Sequence, residues 1–579
     1  MTCSIKTEAD RIYTNGSFYC TDMKGAPKHY EAVAIKDGRF IYVGSNDEAA
    51  SFRGDNTEVT ELDGKMVIPG LSDAHLHPSM LANQIHSFDL YGLEAEESKS
   101  RDDYLNYYLD KISEYVKANP DKGLIRIAGI NAYLFIQDGG TYPTKEDLDR
   151  ICSDRPVIVR SYCMHYGWFN SKALEIAGID KDTPDVRGGV IIRDKDGNPT
   201  GFFQETDAIN LVIEGIPGGD YSVDEYKEAI LSFQSNIAAP FGITMIFDAL
   251  ATPNAKEAYR QLVREEKLTL RVRSQEYIKP SYDNSTIDKI CEGFGKEDEE
   301  DDYKVNVAKF FMDGGGLNFY LTEPYEKPAL EAAGLPADYV SQPLWTKAEM
   351  ENAFLKVSRA GYQIHVHAMG DGAVKHTLDG FEYINRQTGK NGNRNVIAHV
   401  MMIREEDKKR FADLEAIASM QPMWGAVETV YEFGYQSSFG KKRPQYFFPL
   451  KSLLDEGVII AFGTDFPIGG MINPYQGLQT AMTRAVGKSY PMYEKYKDCK
   501  MGPEDNPTRE CLSLNEGIAA LTIWGAYQHG LENVTGSFEV GKSADMVVLS
   551  NNLEECDILD YEFTVSEETV FKGRTVFKK

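Results

Sequence analysis

The sequence predicts an α/β protein built on a closed eight-stranded (β/α)8 barrel, with a small β-sandwich from both termini and an inserted α/β subdomain. Three observations predict it. Apolar, β-branched runs alternate with helical patterns through the middle of the chain, which argues for a parallel sheet. Eight such runs can be counted, the number that closes a barrel of this kind. Both ends of the chain are β-rich, with Asn-Gly and Asp-Gly turns between alternating segments near the start, a hairpin signal.

The elements follow in order. Residues 1–65 contain "RIYTNGSFYCTD", "EAVAIKDGRFIYVGS" and "EVTELDGKMVIPG", which read as short strands. Residues 66–85 hold the first barrel strand, and 86–220 are too long for a loop. That stretch carries helices and strands of its own ("DDYLNYYLDKISEYVKA", "LIRIAGIN", "PVIVRSYC") and reads as the insert. The rest of the barrel occupies 221–535, with strands at 242–250, 270–278, 305–315, 362–370, 395–402, 416–424 and 458–467. Residues 536–579 return to β patterning and pair with the N-terminal part in the sandwich. An acidic run at 296–304 reads as a solvated loop, and the polar stretch 487–510 as a lid beside the last strand.

Bulk properties exclude several classes. The chain has 579 residues and a formal net charge of −27. Such a surface repels phosphate backbones and anionic lipid, so neither nucleic acid nor membrane is an expected partner. Eight cysteines are scattered without a C-x-x-C pair, which suits a reducing compartment. The N-terminus lacks an apolar signal region, and no stretch reaches the length of a membrane helix. A cytoplasmic enzyme acting on a small molecule is expected, and a homo-oligomer is compatible with the sequence.

Barrel active sites lie at the C-terminal ends of the strands. There the sequence places His75 and His77 (strand one), Lys309 (strand four), His365 and His367 (strand five), His399 (strand six) and Asp465 (strand eight). Imidazole and carboxylate ligate zinc and similar ions. A lysine in such a strand is costly as a buried ammonium, but carboxylated by carbon dioxide it becomes an anionic ligand able to bridge two metals. Each residue alone has an ordinary reading as a satisfied core or rim group. Five strands with metal-competent residues at one end make that reading poor. His29, His86, His376 and His529 lack this placement and read as ordinary. In the insert, His165, Tyr166, Trp168, Asn170 and Glu205 are candidates to reach over the barrel mouth, Trp168 and Asn170 alternatively shaping the insert itself. Trp424 and Met423 follow strand seven as an apolar wall.

These residues resemble the amidohydrolase superfamily. "GRFIYVGS", "VIPGLSDAHLHP", "GTDFP" and "GSFEVGKSADMVVL" stand in the order of its motifs. "HYGWFNSKALEIAGI", "GGVIIRDKDGNPTGFFQE", "VAKFFMDG", "HVHAMGDGAV" and "QPMW" resemble more narrowly the amidohydrolase family 3 branch, typified by N-substituted formamide deformylase. The resemblance implies a TIM-like metal-dependent hydrolase barrel with ligands His75, His77, carboxylated Lys309, His367, His399 and Asp465. His365 sits two residues deeper and supports them. Two bridged zinc ions are implied, with iron, manganese or cobalt as alternatives. The implied reaction is cleavage of a C–N bond, in an amide or N-substituted formamide, by a metal-activated hydroxide with Asp465 as general base and acid. A mononuclear deaminase or cyclic-amide hydrolase is the alternative; an inactive scaffold would be expected to have lost ligands. Two departures stand out: "DGGGLNFYLTEPY" replaces a Ser-Arg-Thr-rich loop, and "IAHV" lacks an acidic residue before its histidine.

Overall fold

The computed structural model describes residues 8–90, 100–135, 141–294, 302–332, 334–390, 392–468 and 472–579. At its centre are eight strands: β1 (Leu71–Leu76), β2 (Ile243–Asp248), β3 (Arg271–Tyr277), β4 (Tyr303–Phe311), β5 (Gln363–Ala368), β6 (Val396–His399), β7 (Ile417–Met420) and β8 (Ile459–Phe462). They neighbour one another in chain order, every pair parallel. Backbone bonds then join the two ends: Asp465 N–H donates to His75 O at 2.8 Å and His77 N–H to Phe466 O at 2.7 Å. The strands form because their apolar, β-branched runs are buried on both faces, as a parallel sheet requires. Two of the helices between them start on capping boxes, Ser222 with Glu225 and Thr346 with Glu349.

The termini build two sheets. One has the order Arg39–Gly44, Ala32–Lys36, Arg11–Thr14, Glu58–Glu61. The other runs Arg574–Lys578, Ser566–Phe571, Met546–Leu549, Met66–Pro69, Ser17–Thr21, Pro27–Tyr30. This corrects one boundary of the sequence reading. Met66–Pro69 pairs antiparallel with Met546–Leu549 and lies in the terminal sheet, so the barrel strand begins at Leu71. The chain changes sheets at Gly70: its N–H still bonds Asp545 O at 3.0 Å, while Leu71 N–H already bonds Gly242 O at 2.9 Å. A Cβ on Gly70 would lie 2.2 Å from Thr244 Oγ1, so only glycine fits this crossing.

The insert has a mixed six-stranded sheet, ordered Val190–Arg193, Pro199–Gln204, Tyr166–Phe169, Val157–Ser161, Ile125–Ile130, Phe88–Asp89. It carries its own apolar cores, one around Trp168 and Phe135, the other around Phe169 and Phe203. Most of the acidic run, residues 296–301, lies outside the described residues. The 487–510 segment packs on the chain after β7, where Tyr490 Oη meets Thr429 Oγ1 at 2.8 Å.

A buried ion pair fastens the terminal sheets to the barrel. Arg271, at the start of β3, meets Asp545 at 2.5 Å with both side chains excluded from solvent. Asp545 also accepts from Thr535 Oγ1 at 2.7 Å and from Lys572 N–H at 2.8 Å. Removing one partner of such a pair leaves a buried charge uncompensated. Arg271→Met is therefore expected to lower unfolding free energy by about 3–5 kcal/mol, read as a drop in the urea midpoint. An unchanged midpoint would contradict this role.

Candidate metal centre

Parallel register sets the site. Lys309 lies opposite His365, and Phe311 opposite His367, between β4 and β5. Ala368 lies opposite His399 between β5 and β6. Side chains two residues apart on a strand share a face, so Lys309, His365 and His367 point into one space. His75 and His77 arrive from β1, and barrel closure carries Asp465 against them.

His75 Nδ1 lies 2.8 Å from His365 Nε2. This leaves His75 Nε2 at 3.4 Å from Lys309 Nζ and 3.5 Å from Asp465 Oδ1. His77 Nε2 stands 3.1 Å from the same carboxylate oxygen. His399 Nδ1 is held by Gln421 Oε1 at 2.9 Å, which turns its Nε2 inward. His367 Nε2 is buried without a hydrogen-bond partner among the described residues, 3.7 Å from Asp313 Oδ1. All six predicted ligands line one cavity of about 40 Å³, together with Cys163, Met164 and His165.

Burial pushes the pKa values of His75, His365 and His367 well below the usual imidazole range. It lowers His399 to about 4, against the pull of Asp465. Burial also lowers Lys309 to about 7. For Asp465 burial works upward, but the His77 hydrogen bond and the charges of His77, His399 and Lys309 outweigh it and hold the carboxyl below its ordinary value. The imidazoles of His75, His77 and His399 thus crowd the Asp465 carboxylate. That donor set fits a divalent cation. Ligand atoms of His75, His399 and Asp465 all lie within 4.8 Å of one another, close enough to hold one ion. The backbone is strained here too, with positive φ at His399 (76°), Val400 (42°) and Asp465 (60°), as is common where function dictates side-chain aim.

A family model described as "Amidohydrolase family" matches residues 58–577. The chain belongs to the amidohydrolase family. The N-substituted formamide deformylase of Arthrobacter pascens is 26% identical over 540 residues, covering 91% of each chain. Protein LONG AFTER FAR-RED 3 of Arabidopsis thaliana is 27% identical, covering 94% of this chain and 88% of that protein. The fold is shared with an uncharacterized metal-dependent hydrolase from Pyrococcus furiosus, with TM-score 0.67 and 23% identity over 94% of this chain and 99% of that one. This amidohydrolase is accordingly a metal-dependent hydrolase of the class that acts on carbon–nitrogen bonds.

The insert residues divide. His165 and Glu205 reach the amidohydrolase centre: His165 Nδ1 meets Glu205 Oε2 at 2.6 Å, and His165 lines the cavity. Trp424 also stands at the site, stacked on His399 with ring centroids 5.6 Å apart. Trp168 and Asn170 are elsewhere. Trp168 is fully buried in the insert and donates to Thr144 O at 2.8 Å. Asn170 caps the helix Ser171–Ala177, accepting from Ala173 N–H at 2.9 Å, and its amide donates to Cys152 O at 2.7 Å. Both shape the insert. Strand alternation turns Trp168 inward, and the cap position claims Asn170.

Three supporting residues were not singled out from the sequence. Asp73 accepts from Thr464 Oγ1 at 2.6 Å, and burial lifts its carboxyl to about 7 despite that bond. Asp313 accepts the N–H groups of Met369, Gly370 and Tyr320 at 2.9–3.1 Å, which shapes the turn after His367. Gln421 orients His399. For Asp313 and Gln421 the sequence signal was polarity directly after a strand end, in "MDG" and "SMQPMW", while Asp73 lies within β1, two residues before His75. Partners that orient a ligating imidazole tune metal affinity. Gln421→Leu is expected to weaken metal retention roughly 10–100-fold, measured by competition with a chelator. Unchanged retention would show that His399 needs no such support.

Proposed function

We propose that this amidohydrolase hydrolyses the C–N bond of an amide, and in particular of an N-substituted formamide, at a two-metal centre. The observation that carries the reading is the convergence of His75, His77, Lys309, His367, His399 and Asp465 on one buried cavity. The deformylase relative, similar along 91% of both chains, supports the formamide.

Lys309 bears on the metal count. Burial at a pKa of about 7 leaves much of its amine unprotonated at neutral pH. A free amine pair attacks carbon dioxide; a C–N bond forms, a proton leaves, and the resulting carbamate is an anion with two oxygens to share. Lys309 so modified, with His75, His77, His367, His399 and Asp465, would hold two ions. Zinc suits the mixed nitrogen and oxygen donors, as do iron, manganese and cobalt. Bound divalent ions lower the pKa of water to about 7 and polarise a carbonyl.

The protein groups do the rest. Asp465 stays ionised at neutral pH, because its pKa is held low. It takes the proton of the attacking water and returns one as the C–N bond breaks. Trp424 belongs to the wall of a larger cavity of about 560 Å³ with Tyr108, Tyr162, Tyr435 and Tyr490. Aromatic walls seat the apolar part of a small ligand, here the group carried by the amide nitrogen.

Two measurements test this. Asp465→Asn is expected to lower kcat roughly 10²–10⁴-fold on N-substituted formamides, with metal content assayed alongside. Wild-type turnover in that variant would remove Asp465 from the mechanism. Elemental analysis of the wild type is expected to find about two ions per chain, falling to about one in Lys309→Ala, since the bridging ligand is then missing. One ion in the wild type would favour the mononuclear reading instead.

A further inference from the structure

The cavity of about 560 Å³ beside the metal centre is walled by three separate parts of the chain. The insert supplies Tyr108, from the helix Arg101–Ala118, and Tyr162, just after the strand Val157–Ser161. The segment after β7 supplies Trp424, Glu428 and Tyr435, and the polar 487–510 stretch supplies Tyr490. The cavity adjoins the centre. Trp424 is stacked on His399, Met369 comes directly after β5, and Ile468 lines both this cavity and the one that holds the predicted ligands.

Of the described residues that line this cavity, Glu428 is the only acidic or basic one. Its carboxylate is held in place: Val430 N–H donates to Oε1 at 2.9 Å and Tyr490 Oη to Oε2 at 3.1 Å. Tyr490 is itself fixed, because Thr429 N–H donates to its Oη at 3.2 Å. A carboxylate accepts about four hydrogen bonds, so Glu428 has capacity left for a ligand. Among the described residues no cation pairs with it. Lys495, from the same stretch as Tyr490, goes instead to Glu432 at 2.6 Å. A partly buried carboxylate without a counter-ion is costly to keep from water. Aromatic faces attract ammonium groups, and the net charge of −27 favours the approach of a cation over an anion.

We propose that Glu428 sets specificity for a substrate whose amide nitrogen carries a chain ending in an ammonium group, that is, an amide or formamide of a diamine. This deepens the amide or formamide reading and rests on it. The carbonyl lies at the metal centre, the methylenes run past Trp424, and the terminal cation meets Glu428 among the tyrosine rings. Glu428 follows Trp424 by four residues, a reach of at most about 14 Å, which a chain of several methylenes can cover. A neutral chain of the same length would displace water from Glu428 and leave its free lone pairs without a donor. The cavity therefore selects by charge as well as by length.

The test uses the zinc-loaded enzyme and pairs of formamides. One member of each pair is an ω-aminoalkylformamide, and in the other a methyl replaces the ammonium; the chains have three, five or seven methylenes. The wild type is expected to favour the charged member roughly tenfold in kcat/KM at the best length, with the difference lying in KM. In Glu428→Gln that ratio should fall toward one, and Glu428→Asp should keep part of it. A ratio near one at every length, or an undiminished ratio in Glu428→Gln, would overturn the assignment. Equilibrium titration needs no turnover, with choline and its neutral isostere 3,3-dimethylbutanol as probes. Choline should bind the wild type roughly tenfold more tightly than the alcohol, and this advantage should vanish in Glu428→Gln. Equal binding of the two by the wild type would overturn the cation site. Failure of the wild type on every formamide would count against the substrate reading, while the titration would still judge Glu428.

Discussion

Closure of the barrel between its first and last strands is the contact on which the site depends. Gly463 passes so near β1 that a Cβ there would lie 2.7 Å from His75 N and 2.8 Å from His75 Cβ. Only glycine permits that approach. It brings Asp465 N–H onto His75 O and lets Asp73 tie both the N–H and the hydroxyl of Thr464. The seam that closes the sheet is thus the seam that sets Asp465 against His75 and His77. Were it to open, the other strands would still present Lys309, His367 and His399, but without the carboxylate that gathers them.

The centre works against the stability of its surroundings. Imidazoles, an amine and carboxyl groups are buried where apolar side chains would pack at no electrostatic cost. Positive φ at His399, Val400 and Asp465 adds backbone strain. A cation that accepts the inward-facing lone pairs offsets the first cost, and binding to the folded state alone shifts the folding equilibrium toward it. The surrounding structure supplies the remainder through the continuous apolar core outside the barrel strands. The insert repeats the pattern on a smaller scale, spending strain at Met164 and Glu205 to hold a polar pair over the barrel mouth.

Much of this was legible in the chain. Barrel strands show themselves as apolar β-branched runs because both faces are buried, and each has polar residues at one end because that end meets the cavity. His75, His77, Lys309, His367, His399 and Asp465 were recognisable for that reason. The assignment of Met66–Pro69 was not, because its partner Met546–Leu549 stands near the other end of the chain. An apolar run reads the same whether it enters a barrel or a sandwich. "HYGWFN" was ambiguous in a similar way: His165, Trp168 and Asn170 lie within six residues, yet the first enters the cavity and the other two do not. Strand facing and the position of the helix cap separate them, and neither is visible in composition. Gln421, Asp73 and Asp313 act by touching other polar groups across the barrel, so their roles exist only once the strands are side by side.

What the sequence determined by itself was the kind of molecule. The alternation of β-branched and amphipathic segments dictates a parallel barrel, and histidine, lysine and aspartate at strand ends dictate a metal-binding chemistry, since both are properties of short stretches of chain. The tertiary structure decided which side chains face one another: that His75 is steadied by His365, that His399 is turned inward by Gln421, and that His165 and Glu205 meet above the site. Those relations depend on closing a sheet whose members are far apart in sequence. Hydrogen bonds and charge effects act over a few ångströms of space, and only folding converts sequence distance into that.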